Sequence, residues 1–196
     1  MIVQPVVLEG ENVRLEPLSI EHLPRLAEIG LQADIFRWFT EPVRTPAGMR
    51  KFIVTALEEQ AAGKSLPFAT IDKQSGLAVG STRFMNIEPA HLRVEIGGTW
   101  IAPDWQRTAT NTEAKYIMMR HAFETWGCNR VELKTDSLNE RSRRAIARIG
   151  AKEEGIFRNH MVTASGRLRH SVYFSVIRKE WPQVKATLEA KMERYR

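Results

Sequence analysis

Two segments of the chain hold residue types whose spacing could do chemistry. The first, Pro103-Asp-Trp-Gln-Arg-Thr-Ala-Thr-Asn-Thr-Glu-Ala114, joins an apolar strand pattern directly to a helical one. The start of a helix offers unpaired backbone N–H groups and the positive end of the helix dipole, so this stretch could hold a pyrophosphate with its main chain alone. Arg107 adds a full charge, and Thr108, Thr110, Asn111 and Thr112 are short enough for a ligand to come close. The plain alternative is a capped helix, with Thr110 or Asn111 as cap and Glu113 in the first turn. The second segment runs from Asp136 to Gly150. Its plain reading is a solvated helix with Ala145, Ile146 and Ile149 inward. That reading does not explain why Asn139 and Ser142 stand one turn apart at the helix start, on the face turned to the preceding strand.

Other chemistries lack their signatures. The sequence contains no GxxxxGK[ST], GxGxxG, HExxH or GxSxG, which removes support for P-loop hydrolysis, dinucleotide redox chemistry and serine-hydrolase chemistry. Cys128 is the one cysteine, and no Cys/His cluster has zinc spacing, so no metal is expected. The formal charge of +6 and pI near 9.7 favour an anionic partner: nucleic acid, an acidic protein or a phosphorylated cofactor. The basic helix from Arg141 to Arg148 has no aromatic residue to stack on bases, so stable nucleic-acid binding is not expected. With 196 residues, 43% of them apolar, and no long apolar run, the expectation is a single domain over residues 1–196 that does not enter a membrane. The N-terminus lacks the features of a secretory signal, which makes the cytoplasm the default.

The elements that must position these residues follow from periodicity. Asn12–Leu18 alternates as a strand; Ser19 caps a helix through Ile20, Leu23, Leu26 and Ile29 to Gly30. Asp34–Arg44 is an irregular connection whose Phe36, Trp38 and Phe39 serve the core or wall a substrate groove. Thr45-Pro46 opens a second helix to Gly63. Phe68–Asp72, Leu77–Ile87 and His91–Ile101 make an antiparallel meander. A helix from Thr110 to Trp126, a strand Val131–Thr135, a helix opened by Ser137 or Asn139, a hairpin with arms Ala151–Arg158 and Leu168–Ile177, and a basic tail helix after Trp181-Pro182 complete the chain. Meander strands followed by a strand-helix-strand crossover predict an α+β fold with a mixed sheet flanked by helices.

Read together, Gly10-Glu-Asn-Val-Arg-Leu15, Glu95-Ile-Gly97, Asn111-Thr-Glu-Ala-Lys115, Asn139-Glu-Arg-Ser142 and Arg148-Ile-Gly-Ala151 give the chain a resemblance to GNAT-superfamily acetyltransferases, specifically the RimJ/RimL-like branch. The resemblance covers nearly the whole chain. It implies a central, mostly antiparallel twisted sheet of about seven strands, splayed between strands four and five. It implies acetyl-CoA as co-substrate, without a metal, and an amine acceptor. In the family a Gln/Arg-x-x-Gly-x-Gly/Ala turn holds the pyrophosphate; Gln106-Arg-Thr-Ala-Thr-Asn111 occupies that place, with Ala109 and Asn111 where glycine or alanine is usual.

The resemblance also assigns roles. Pantetheine enters the splay like an added strand, and a backbone N–H near Ile101 meets the thioester carbonyl. Ile146 stands where many relatives carry a tyrosine, so Ser142 becomes the donor to the leaving sulfur and Asn139 positions pantetheine. Glu95 is either the base that deprotonates the amine or an exposed strand residue opposite Arg83 or Arg93. From Asn139 to His170 eight Arg/Lys stand against three Asp/Glu; Arg107, Arg143 and Arg144 could serve the CoA phosphates or simply be solvated. His121 reads as a hydrogen-bonded core residue, and His160 and His170 as loop residues that could line an acceptor pocket. Trp38 and Phe39, with Glu95, would bind the acceptor. By resemblance that acceptor is the N-terminus of a protein such as a ribosomal protein. A small amine (amino acid, polyamine or aminoglycoside) and a noncatalytic CoA- or RNA-binding relative are the alternatives, and a homodimer is compatible with all of them.

Overall fold

The computed structural model describes residues 1–32 and 34–193; Ala33 and the last three residues of the basic tail lie outside the described residues. Among these, β1 (Leu8–Glu9), β2 (Val13–Pro17), β3 (Ser65–Asp72), β4 (Ala78–Glu88), β5 (Arg93–Ile101), β6 (Arg130–Asp136), β7 (Lys152–Val162) and β8 (Leu168–Ile177) form one sheet in the order β1-β2-β3-β4-β5-β6-β8-β7. Only β5 and β6 run parallel; every other neighbouring pair is antiparallel. The expected mixed sheet is present with eight strands rather than about seven. The additional strand, β1, is two residues long and too short to show a period in the sequence.

Five helices accompany the sheet among the described residues: α1 (Leu23–Gly30), α2 (Pro46–Ala61), α3 (Ala109–Arg120), α4 (Glu140–Arg148) and α5 (Trp181–Met192). The first expected helix is divided. Ser19 and His22 cap a 3-10 turn over Ile20–His22, and α1 begins after it, because Pro24 has no N–H to continue a helical ladder from upstream. Thr45 Oγ1 accepts from Gly48 N at 3.0 Å and starts α2 where expected. The cap of α3 is Thr108, not Thr110 or Asn111: its Oγ1 accepts from Thr110 N at 3.2 Å. The same helix passes into a π turn over His121–Thr125 before Gly127 ends it at φ +68°. His121 is half-buried and packs its ring against Phe84 and Trp126; no side chain bonds it among the described residues, and burial holds its pKa below the usual value.

Two apolar layers sandwich part of the sheet. On one face α3 and α5 pack Ile117, Met118 and Leu188 against Phe68, Phe84, Val94, Ile96, Val131, Leu133, Val172 and Phe174. On the other, α1 and α2 pack Leu26, Met49 and Ile53 with Leu18, Phe36, Ala69, Ile71 and Trp100. No residue of β6, β7 or β8 joins that second layer among the described residues, so one face of these strands is bare of its helices, although Asp136, Ser171 and Ser175 are buried there. No helix among the described residues is long and apolar enough to cross a membrane, and no group of three or more His, Cys, Asp or Glu among them could hold a metal.

Candidate active site

The sheet parts in its middle. β5 and β6 pair over Arg93↔Arg130, Val94↔Val131 and Glu95↔Glu132 and then separate. Beyond that point β5 is bulged: Ser81 faces Trp100, but Arg83 faces Gly97, which leaves Gly98 and Thr99 opposite Thr82. Gly98 takes φ +57°, a conformation that favours glycine, and a Cβ there would lie 2.7 Å from Arg83 Nε, so the Arg83 side chain would have to move. At the far end Ala102 N donates to Val79 O at 2.8 Å. Strand N–H groups alternate in direction, so the Ile101 N–H faces away from β4, into the opening. The Ile101 carbonyl faces the same way and accepts from Gln106 Nε2 at 2.7 Å.

Glu95 stands where the two strands part. It is 1% exposed, which replaces the exposed-strand alternative, and its register partner is Met85 rather than Arg83 or Arg93. Oε2 accepts from Asn86 Nδ2 at 2.8 Å and from Lys134 Nζ at 3.1 Å. Oε1 accepts no hydrogen bond among the described residues and leans over Gly97, where a Cβ would be 3.0 Å from it. Neither Asn86 nor Lys134 was visible as a site residue in the sequence. The signal for Lys134 is its alternation with Glu132, which puts both on the bare face of β6.

The turn from β5 to α3 has the features needed to hold a diphosphate. Thr108 Oγ1 takes the Thr110 N–H and itself donates to Trp105 O at 2.8 Å. The N–H groups of Ala109 and Asn111 have no partner outside the helix among the described residues. Arg107 is exposed and adopts φ +66°, a conformation that favours glycine. Thr112 Oγ1 is occupied by Arg148 Nη2 at 3.1 Å. Glu113, placed in the first turn by sequence, is buried and accepts from the N–H groups of Glu11 and Asn12, pinning the β1–β2 turn. Free amides, small side chains and the open edge at Ile101 together fit the phosphate and pantetheine portions of acetyl-CoA.

α4 supplies the other wall. Asn139 is its cap, with Oδ1 accepting from Ser142 N at 3.1 Å. Ser142 lies one turn before buried Ile146, on the inward face, and its Oγ has no partner among the described residues. The arginines divide differently from the sequence expectation. Arg143 turns to Glu153 at 3.1 Å and exposed Arg144 to Glu140 at 3.1 Å. It is Arg141 that reaches across the opening, to Gln106 Oε1.

The β7–β8 hairpin carries His160 and His170 on its two arms. Its tip docks on the aromatic connection: Ala164 N donates to Thr40 O at 2.8 Å, and Arg169 Nη1 to Trp38 O at 3.3 Å. Arg167 pairs with buried Asp136 and lies over the Trp38 ring. Phe39 is partly buried against Phe36 and Phe52, on the core side. On the bare face a cavity of about 400 Å³ is lined by Glu88, Arg93, Glu95, Glu132, Glu154 and Tyr173 among others. His160 and His170 are not free: His160 Nδ1 meets Ser171 Oγ at 3.0 Å, and His170 Nδ1 accepts from Asn159 N at 2.8 Å.

The chain matches the acetyltransferase (GNAT) domain family over residues 12–152. It is 28% identical over 176 residues to the Bacillus subtilis protein named "Putative ribosomal N-acetyltransferase YdaF", covering 88% of this chain and 94% of that one. A GCN5-related N-acetyltransferase from Brucella melitensis has a similar structure, with TM-score 0.89 at 36% identity over 96% of this chain and 86% of that one. Mycobacterium smegmatis RimJ, solved in complex with CoA-disulfide, shares the fold, with TM-score 0.82 at 21% identity over 95% of each chain.

Proposed function

The chain belongs to the GNAT acetyltransferase family, on its RimJ/RimL-like branch, and from that premise we propose that it moves an acetyl group from acetyl-CoA directly onto a primary amine in a ternary complex in the cytoplasm. The acceptor in this reading is a protein N-terminus, such as that of a ribosomal protein. The feature that carries it is Glu95, a buried carboxylate with one oxygen clamped by Asn86 and Lys134 and the other left open over Gly97 at the mouth of the splay.

Acetyl-CoA supplies the activated acyl group as a thioester. The Ala109 and Asn111 N–H groups, with Arg107 and Arg141, hold its phosphates at the start of α3. The Ile101 N–H holds pantetheine in the manner of strand addition. Ile101 is six residues beyond Glu95, roughly 20 Å at the rise of an extended strand, and a base must reach its proton directly or through one water. The acetyl carbon therefore belongs farther down β5, beside Gly97 and Gly98. There Glu95 Oε1 takes the proton that makes the amine nucleophilic, and Ser142 Oγ donates toward sulfur. Asn139 caps α4 and so fixes where Ser142 stands. No helix of the second layer covers β6, β8 and β7, so the cavity beside Glu95 has no helical lid, which favours an extended peptide over a small amine.

The test is calorimetric titration with acetyl-CoA and CoA, followed by thiol release with N-terminal peptides and with small amines. Binding saturates near one per chain, and peptides release thiol. Arg107→Glu weakens binding. Glu95→Gln and Ser142→Ala lower kcat by about 10²–10⁴ and about tenfold or more, respectively, with binding nearly unchanged. Saturable binding without thiol release for any amine would leave a noncatalytic CoA-binding relative, and absent binding would remove the reading altogether.

A further inference from the structure

Beneath the β5 bulge lies a lysine that the proposed reaction does not use. The Lys115 side chain is enclosed between α3 and the sheet. Its Nζ donates to Thr99 Oγ1 at 2.7 Å and to Thr82 Oγ1 at 3.1 Å, and the two hydroxyls lie 2.8 Å from each other. Thr82 from β4, Thr99 from β5 and, beside Thr82, Met118 from α3 surround the group; none is charged, and no ion pair reaches it among the described residues. Enclosing an amine without a counter-charge disfavours its charged form and costs stability. Burial pushes the Lys115 pKa down to about 7. The two threonines satisfy each other without it, so stability does not account for a lysine here.

Its contacts do. Thr82 and Thr99 are the residues that face each other across the break in register between Ser81↔Trp100 and Arg83↔Gly97. This is where the regular ladder lapses and β5 has left β6. We propose that Lys115 is a positioning residue that ties the β5 bulge from below and so fixes the main-chain segment from Gly97 to Ile101. That this segment meets acetyl-CoA rests on the function proposed above; that Lys115 holds it does not. Without the amine, Thr99 keeps its bond to Thr82 but loses its tether to α3, and the segment is free to shift by the fraction of an ångström that spoils alignment with a reacting group.

Lys115→Met keeps the length and apolar fill and removes the donors, and Thr99→Val removes the receiving hydroxyl at constant shape. Three readouts are taken on the full chain: melting temperature across pH, acetyl-CoA kinetics beside calorimetric binding, and amide hydrogen exchange of Gly97 to Ile101. In the folded protein the amine is neutral above about 7, while in the unfolded chain it stays protonated to about 10.5. The unfolded state then binds more protons in that window, so this group makes parental stability climb with pH across it. Lys115→Met lacks the climb and melts no lower than the parent. Its kcat nevertheless falls by roughly 10–100-fold with acetyl-CoA binding retained, and exchange of the Gly97 to Ile101 amides quickens, as it does in Thr99→Val. Parental exchange in Lys115→Met overturns the proposal, as does parental kcat in a parent that turns over. A fall in kcat that tracks a lowered melting temperature in both variants assigns Lys115 to packing and overturns it too. If the parent releases no thiol with any amine, the proposed reaction fails, and the exchange readout still decides the tether.

Discussion

β3 and β7 are antiparallel strands of one sheet on opposite sides of the splay, and they live in different environments. β3 is buried at seven of its eight positions, between α3 on one face and α2 on the other. β7 is exposed at nine of its eleven, an edge strand with no helix over its bare face. The covered half holds the fold together through apolar burial, which is indifferent to ligands. The bare half buries Val131, Leu133, Val172, Phe174 and Val176 against the α3 and α5 layer on one face, and on the other displays Lys134, Tyr173, Phe157 and His160 around Glu95. Phe157 is 53% exposed yet packs its ring against Tyr173 and His160, an apolar surface maintained against water. The splay is the seam between this scaffold and the surface proposed above to receive the acceptor.

The sharpest way to break this contrast is to truncate one aromatic on each side. Phe68→Ala removes a fully buried ring that meets Phe84 edge-on, and it should cost about 3–5 kcal/mol in urea denaturation. Phe157→Ala should cost about 0.5 kcal/mol or less and raise KM for a peptide acceptor instead. Equal losses would mean that β7 is a packed strand and the bare face is not an acceptor surface. A smaller effect tests the strap over the seam. The Asp136 carboxylate is fully enclosed, accepts from Leu138 N at 3.0 Å, and faces Arg167 and Arg169. Asp136→Asn keeps the shape and removes the charge. With Arg167 still 36% exposed to water, the expected loss is about 1–3 kcal/mol, accompanied by a higher KM for the amine as the hairpin tip loosens from Thr40. Loss of stability with unchanged KM would make the strap part of the scaffold.

The covered half was legible because its signals are local. Thr45-Pro46, the alternation from Asn12 to Leu18, and Gly127 act through their own backbone or their own face, and the structure puts the elements there. The failures of detail on that side, the two-residue β1, the 3-10 turn before Pro24, the cap at Thr108 instead of Thr110 or Asn111 and the π turn after α3, are each matters of about one turn of chain or less. The site was legible as segments but not as contacts. Glu95, Ser142 and the Gln106–Thr112 turn stand out in sequence. Lys134 and Asn86 become partners of Glu95 only through strand register, and Lys115 meets Thr82 and Thr99 only once the bulge exists. Arg141 rather than Arg143 or Arg144 reaches the turn because of the rotation of α4, which an arginine-rich sequence leaves undetermined.

The smallest expected effect concerns the charges of the bare face. Arg130 donates from Nε to Glu132 Oε1 at 2.8 Å and from Nη1 to Glu154 Oε1 at 2.6 Å. The Arg130 guanidinium is the main reason the Glu154 carboxyl is held at about 2, below its ordinary 4.5. Between about 2 and 4.5 the unfolded chain binds the proton that the folded one refuses, so this contribution is whole above 4.5 and is lost as pH falls toward 2. Glu154 is 41% exposed, and solvent screens the pair, so the effect is a modest slope and not a cliff. Urea midpoints compared between neutral and acid pH should fall less in Arg130→Met than in the parent, and added salt should shrink the difference. An acid loss that Arg130→Met leaves untouched would assign the sensitive contact to another carboxylate, such as Asp136 beside Arg167, and would deny the Arg130–Glu154 pair even this small part in holding the fold.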